Sequence, residues 1–267
     1  MIEAVCLDLD GTLLDDEKSI SQRNLDSVRR FRESGRQVIL ASGRRYGSIL
    51  PYAAQLGFDC PIIAYSGSLI QHSSENTPCF HKTMQREYAV DVIKSVRGRS
   101  DLIGAYINDI FHIDMINESL RAYERRTSMK SIYVPDLVTH LEQSDIDPIR
   151  IFILAETNIV EELYCSLKGE FDGKLDFVRS WSTFLECGAV GVSKGLALSM
   201  VADCCGFDLK HTVAFGDQEN DISAFEVCGM SFAMGNASSE VKNRAKAIAP
   251  SNVEDGVAVV LERLMVC

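Results

Sequence analysis

The sequence predicts an α/β protein: a doubly wound parallel sheet interrupted by an inserted α+β segment. Three observations predict it. Apolar runs at 4–9, 37–41 and 61–65 each end in acidic or small polar residues and are separated by stretches of helical periodicity, the pattern of buried parallel strands alternating with helices. From 84 to 186 the texture changes to paired, alternating strands with interspersed helices, and from 187 the strand and helix alternation returns. The expected organisation is a core made of 1–83 and 187–267, with 84–186 inserted so as to cover the carboxyl edge of the sheet.

The first strand is the run from Ala4, which ends in Asp8-Leu9-Asp10-Gly11-Thr12. Side chains two apart on an extended chain point the same way, so Asp8 and Asp10 are expected to share one crevice at the strand's carboxyl end, where open α/β sheets bind ligands. Ser21 is set to cap a helix carrying Leu25, Val28 and Phe31, closed by Gly35. The second strand, Gln37 to Ala41, ends in Ser42-Gly43-Arg44, a hydroxyl, a glycine and a cation at a strand-to-helix turn that suits an anion. In the helix that follows, Pro51 is expected to bend the chain or to mark the true start. The third strand ends in Ser66-Gly67, and 68–83 reads as a hairpin.

Within the insertion, helices are expected near Glu87, Glu118 and Leu137, with strands near Leu102, Ile110, Ile132, Ile149, Phe177 and Phe184. Tyr106, His112 and Tyr133 are the polar aromatic residues there that could meet a ligand, although packing is the commoner role. After it, Ser193-Lys194-Gly195 opens a helix. A cation in a helix's first turn opposes the dipole, so Lys194 calls for an anionic partner. The strand 211–215 then ends in Gly216-Asp217-Gln218-Glu219-Asn220-Asp221, a second acidic strand end of the same form as the first.

Composition excludes several classes. A net charge of −11 leaves no excess of Lys and Arg for sequence-independent binding to nucleic acid or to an anionic membrane. No apolar run approaches the roughly 18 residues of a membrane span, and the start Met1-Ile2-Glu3 lacks the basic region of a signal peptide. Nine cysteines, an odd number with Cys204 and Cys205 adjacent and no C-x-x-C pair, read as reduced thiols of a cytoplasmic protein.

Asp8, Asp10, Ser42, Lys194, Asp217, Asn220 and Asp221 therefore come from four strand or helix ends in a fixed order. Each signal alone is weak. Carboxylates forced together share a proton or bind a hard cation, and an all-oxygen site of few protein ligands suits Mg²⁺. The four stretches Asp-Leu-Asp-Gly-Thr, Ala-Ser-Gly-Arg, Val-Ser-Lys-Gly and Gly-Asp-Gln-Glu-Asn-Asp resemble the motifs of the haloacid-dehalogenase superfamily, in particular its Cof-like phosphatases. The resemblance runs through Ala233-Met234-Gly235-Asn236-Ala237 to Glu254-Asp255-Gly256-Val257.

It implies a Rossmann-like core with an α/β cap and a Mg²⁺-dependent phosphatase acting on small phosphomonoesters such as sugar phosphates. It also implies Asp8 as nucleophile and Asp10 as general acid and base. Mg²⁺ would be held by Asp8, the Asp10 carbonyl and Asp217, and phosphate by Leu9 and Gly43 main chain, Ser42, Lys194 and Asn220. Asp221 would orient Lys194, and Arg44 would be a candidate for substrate contact. These phosphatases often carry Asn-Gly after the third strand. Here Ser66-Gly67 stands there, so no substrate contact is assigned to that position. A phosphotransferase or mutase on the same site and a phospho-accepting regulatory module are the alternatives. The expected partner is a small phosphorylated metabolite, and the expected state a monomer or weak homodimer.

Overall fold

Strand β1 (Ala4–Leu7) is buried along its whole length at the middle of an eight-stranded sheet. The computed structural model describes residues 2–127 and 129–266. It divides into two units, Met1–His81 with Val192–Cys267, and Lys82–Gly191.

In the first unit β1 is followed by α1 (Gln22–Glu33), β2 (Gln37–Ala41), α2 (Tyr46–Leu56), β3 (Pro61–Ala64), β4 (Leu69–His72) and β5 (Phe80–His81). The second unit contributes α3 (Arg86–Val96), β6 (Leu102–Ile107), β7 (Ile110–Ile113), α4 (Glu118–Thr127), β8 (Ser131–Tyr133), α5 (Leu137–Glu142), β9 (Arg150–Leu154), α6 (Thr157–Glu170), β10 (Leu175–Trp181) and β11 (Phe184–Ala189). The chain then returns to the first unit with α7 (Lys194–Cys205), β12 (Thr212–Gly216), α8 (Ile222–Val227), β13 (Met230–Ala233), α9 (Ser239–Arg244), β14 (Ala247–Ile248) and α10 (Gly256–Val266).

The first sheet runs β14-β13-β12-β1-β2-β3-β4-β5. Strand β1 pairs in parallel with β2 and β12, with Leu7 opposite Leu40 and Phe215, so the strand ends that carry the acidic and hydroxyl residues lie side by side. The expected hairpin is present, β4 and β5 extending the sheet in antiparallel sense from β3. Helix α1 is capped as its sequence requires: Ser21 accepts the Asn24 N–H, and Gly35 follows the last turn at a φ of +86°. Of the two readings of Pro51, helix α2 corrects one: the proline lies inside the helix and does not start it. Buried Tyr46, Ile49, Ala53 and Leu56 form a stripe along α2, and packing of such a stripe outweighs the roughly 3 kcal/mol that an interior proline costs.

The sheet of the second unit runs β10-β11-β9-β6-β7-β8 and is antiparallel except for the β7–β8 pair. Asn108 and Asp109 join β6 to β7 with φ of +48° and +63°, the two left-handed residues of a type I′ hairpin turn. Strand β11 is paired on both sides and runs to Ala189, beyond the boundary at 186 read from sequence. Helices α3, α5 and α6 cover one face through Val92, Ile93, Leu137, Leu141 and Leu163. Tyr106 is packing: it is buried, and its hydroxyl lies 2.7 Å from that of Tyr123. His112 stacks on His140, and Tyr133 is exposed.

Candidate active site

The carboxyl ends of β1, β2, β3 and β12 and the first turn of α7 meet in the first unit, and Asp8, Lys194, Asp217 and Asp221 are buried there. Lys194, only 1% exposed, opens α7 behind the Ser193 cap. Its ammonium lies 2.6 Å from Asp8 Oδ1 and 2.6 Å from Asp221 Oδ1. This is the anionic partnership that the position demanded. Burial opposes the lysine's charge, but Asp221 and Asp8 outweigh it and hold its pKa above the ordinary value.

Asp221 spends its other oxygen on the loop that carries Asp217, Oδ2 accepting the N–H groups of Asp217 and Gln218 at 2.9 and 3.0 Å. Asp217 accepts from the Thr12 hydroxyl at 3.3 Å and from Gln218 Nε2 at 3.0 Å. Two glycines make room for these acids. A Cβ on Gly216 would stand 2.3 Å from Asp221 Cγ, and one on Gly11, whose φ is +76°, would stand 2.4 Å from Asp217 Oδ2.

Carboxylate oxygens of Asp8, Asp217 and Asp221 lie within 4.8 Å of one another. Three buried acids face one ammonium, so with all of them ionised the cluster carries excess negative charge. The acids respond. Burial, then the neighbouring carboxylates, push the Asp8 pKa well up against the pull of Lys194. Burial and Asp221 push Asp217 up to about 6, against Gln218, Lys194 and Thr12. A cluster of hard oxygen donors short of positive charge can hold a metal cation.

Asp10 is paired differently from Asp8. Strand β1 stops at Leu7, so the two-residue alternation no longer applies, and the carboxylates of Asp8 and Asp10 meet different partners. Arg44 grips Asp10 with both forks, Nε to Oδ2 at 2.6 Å and Nη2 to Oδ1 at 2.7 Å, and Lys18 adds a third contact at 2.9 Å. Burial works against ionisation here, but Arg44 and then Lys18 outweigh it and bring the Asp10 pKa down to about 2. Arg44 itself is held by the Tyr52 hydroxyl at 3.2 Å, with its guanidinium 5.2 Å from that ring's centre. Arg44, the candidate for substrate contact, thus holds Asp10.

Ser42 is buried and its hydroxyl accepts the Arg44 N–H at 3.2 Å. Gly43 lies beside Ser66 and Asn220: a Cβ on it would be 3.4 Å from Ser66 Oγ and 3.7 Å from Asn220 Nδ2. Asn220 Nδ2 donates to Ser66 Oγ at 3.3 Å, while its Oδ1 is buried without a hydrogen-bond partner. Leu9 is wholly buried as a side chain, and its carbonyl accepts the N–H groups of Thr12 and Leu14 at 3.2 and 2.9 Å. Sequence reasoning missed Thr12, Lys18, Gln218 and Ser66 as members of this cluster. Thr12 stood in the first motif and could have been included; Lys18 carries no local signal, since a surface turn brings it to Asp10.

A model of the haloacid dehalogenase-like hydrolases matches residues 5–261. The chain belongs to that family. The hydrolase is 29% identical over 266 residues to the pyridoxal phosphate phosphatase YbhA of Escherichia coli, covering 95% of each chain. It is 28% identical over 264 residues to the 5-amino-6-(5-phospho-D-ribitylamino)uracil phosphatase YitU of Bacillus subtilis, covering 95% of this chain and 94% of that one. A haloacid dehalogenase-like hydrolase crystal structure from Bacteroides thetaiotaomicron superposes with a TM-score of 0.90 at 28% identity, over 99% of this chain and all of that one (100%).

In this hydrolase Tyr65 and Ser66, at the end of β3, both have positive φ, +50° and +55°. Left-handed backbone costs an ordinary residue roughly 1–2 kcal/mol and suits asparagine, whose short amide bonds locally. Ser66→Asn is therefore expected to stabilise the hydrolase by about 0.5–1 kcal/mol, measured by urea unfolding. A loss of stability would show that the Ser66–Asn220 contact outweighs the backbone relief.

Proposed function

We propose that this hydrolase is a Mg²⁺-dependent phosphatase of small phosphomonoesters, sugar phosphates and related metabolites, and that it works through a phosphorylated Asp8. One observation carries the reading: three buried carboxylates, Asp8, Asp217 and Asp221, gather around a single ammonium with oxygens within 4.8 Å of one another. Asp221 has both oxygens engaged by Lys194 and by two main-chain N–H groups. Asp8 meets Lys194 through Oδ1 alone, and Asp217 is held by the neutral donors Thr12 and Gln218 and by no ammonium; these two acids and the Asp10 carbonyl would hold the cation. Bound there, Mg²⁺ supplies the positive charge that lets a phosphate dianion approach a carboxylate.

That charge is needed. Two unit charges about 4 Å apart repel by about 4 kcal/mol at an effective dielectric near 20, and a dianion meets roughly twice that. Asp8 attacks phosphorus in line and becomes an acyl phosphate, which divides one slow hydrolysis into two shorter steps. Lys194 offsets charge on the transferring oxygens. Ser42, Asn220 and the main-chain N–H groups of Leu9 and Gly43 hold them, and Asp221 fixes Lys194 from behind. Asp10 is the general acid and base of the reading. Paired with Arg44 and Lys18 it is an ionised carboxylate, suited to activating water for the second step. Protonating the leaving group in the first requires that it exchange those cations for the substrate's oxygen.

The two named relatives act on chemically different phosphomonoesters, which supports a substrate class of small phosphorylated metabolites. Lys82–Gly191 is read as the cap that the family resemblance implies. Among the described residues no helix is long and apolar enough to cross a membrane, and the cysteines described are free thiols, which accords with a cytoplasmic location.

The test is hydrolysis of p-nitrophenyl phosphate by chelator-treated protein with and without added Mg²⁺. Turnover is expected only with the metal, with inorganic phosphate and nitrophenol released one for one; phosphate appearing on an added alcohol instead would favour the transferase reading. The sign of the pH effect follows from Asp217. A ligand with a pKa near 6 must lose a proton to bind metal below that pH, so the Mg²⁺ concentration for half-activation is expected to rise about tenfold from pH 7 to pH 5. Equal activation constants at the two pH values would remove Asp217 from the metal site.

A further inference from the structure

We propose that Asn236 is a positioning residue that pins the turn after the nucleophile, so that Asp8 and Asp217 present their carboxylates to one cation. The inference rests on the metal-dependent reading above.

The turn at 9–14 is held from two sides. Its N–H groups close on the strand end: Thr12 and Leu14 donate to the Leu9 carbonyl at 3.2 and 2.9 Å, and Leu13 to the Asp8 carbonyl at 3.2 Å. Its carbonyls are taken by asparagine side chains. Asn236 Nδ2 donates to Gly11 at 2.8 Å, Asn252 Nδ2 to Leu14 at 3.0 Å, and Asn24 Nδ2 to Leu13 at 3.5 Å.

These amides are themselves fixed. Asn236 Oδ1 accepts the Asn252 N–H at 3.1 Å, and Asn24 Oδ1 accepts the Ala258 N–H at 3.0 Å. Lys242 Nζ donates to the Gly235 carbonyl at 2.6 Å, which anchors the loop that carries Asn236. Residues far along the chain thus hold the first motif in place.

Gly11 is where this matters. Asp217 Oδ2 lies 2.4 Å from the point a Gly11 Cβ would occupy, so the Asp217 carboxylate rests on the Gly11 backbone whose carbonyl Asn236 holds. A Gly11 that drifts changes both the peptide after Asp10 and the surface supporting Asp217. The amide at 236 donates to Gly11 through one arm and accepts from Asn252 through the other. This gives the Ala-Met-Gly-Asn-Ala stretch a purpose that the chemistry itself does not use.

Asn236 is exposed, so its replacement leaves no buried cavity. The experiment measures Mn²⁺ binding to substrate-free wild type, N236A and N236D by calorimetry, beside steady-state kinetics with p-nitrophenyl phosphate and metal-free unfolding. Loss of an outer support typically costs 10–100-fold in metal affinity or activity. N236A is expected to raise the Mn²⁺ Kd by about tenfold and lower kcat, with KM at saturating metal nearly unchanged. N236D keeps the acceptor and loses the donor; kcat is expected to fall although an added carboxylate alone would favour a cation. Wild-type Kd and kcat in both variants would overturn the inference while leaving the metal reading intact. A wild type that binds no Mn²⁺ would overturn both.

Discussion

Asp8→Asn is expected to lower turnover of an aryl phosphate by about 10⁴-fold or more while leaving the protein folded. An amide of the same shape cannot form the acyl phosphate, and losses of this order follow removal of a nucleophile that acts with its neighbours as a unit. Ten-thousandfold corresponds to about 5.4 kcal/mol of transition-state stabilisation. The structure separates this effect from damage to the fold. Lys194 keeps Asp221 at 2.6 Å, so its ammonium retains a partner, and removing one of three crowded carboxylates relieves the burial of charge and the repulsion that together push the Asp8 pKa well up. Without Mg²⁺ the variant is therefore expected to be at least as stable as wild type. Steady-state kinetics with metal and urea unfolding without it are the two measurements. Undiminished hydrolysis would remove Asp8 as the nucleophile.

What the sequence made legible here was whatever a single stretch of chain determines. Ser21 and Gly35 bracket α1 because a cap and a left-handed closing residue act on their own helix. Lys194 announced an anionic partner because its cost arises within its own first turn. Asp217 directly after a buried strand and Gly216 could not be a mere helix-start acid, and Gly216 proves to be the residue that Asp221's carboxylate packs against.

The misreadings arose where distant segments decide. The partners of Asp10 are two cations, Arg44 from the turn after β2 and Lys18 from farther along Asp10's own loop. No local pattern announces such pairing, because an arginine after a strand looks the same whether it faces substrate or a neighbouring acid. Strand β14, only two residues long, has too few positions for any alternation to show. Pro51 as a helix start failed for the opposite reason: its local rule is strong, and buried packing of α2 overrode it.

Lys194→Met tests the other half of the electrostatic arrangement and is expected to cost both stability and turnover. Methionine fills a similar volume, so little is lost to packing; what remains is Asp8 and Asp221 buried with their common cation gone. Breaking a buried pair by removing one partner typically costs about 3–5 kcal/mol, because the other charge stays buried and uncompensated. At pH 8 without metal the loss is expected near the top of that range, since two acids are stranded. At pH 5 it is expected to be smaller: an acid whose folded pKa is raised takes up a proton in the folded state first, which relieves the stranded charge as pH falls. Saturating Mg²⁺ should recover part of the stability at pH 8, the dication standing in for the lost ammonium beside Asp8, whereas turnover should stay low because the transferring oxygens still lack their lysine. Urea unfolding at the two pH values, each with and without Mg²⁺, gives the four stabilities. A variant as stable as wild type at pH 8 without metal would mean that Lys194 does not balance these acids, and the charge deficit from which the metal site was inferred would have to lie elsewhere.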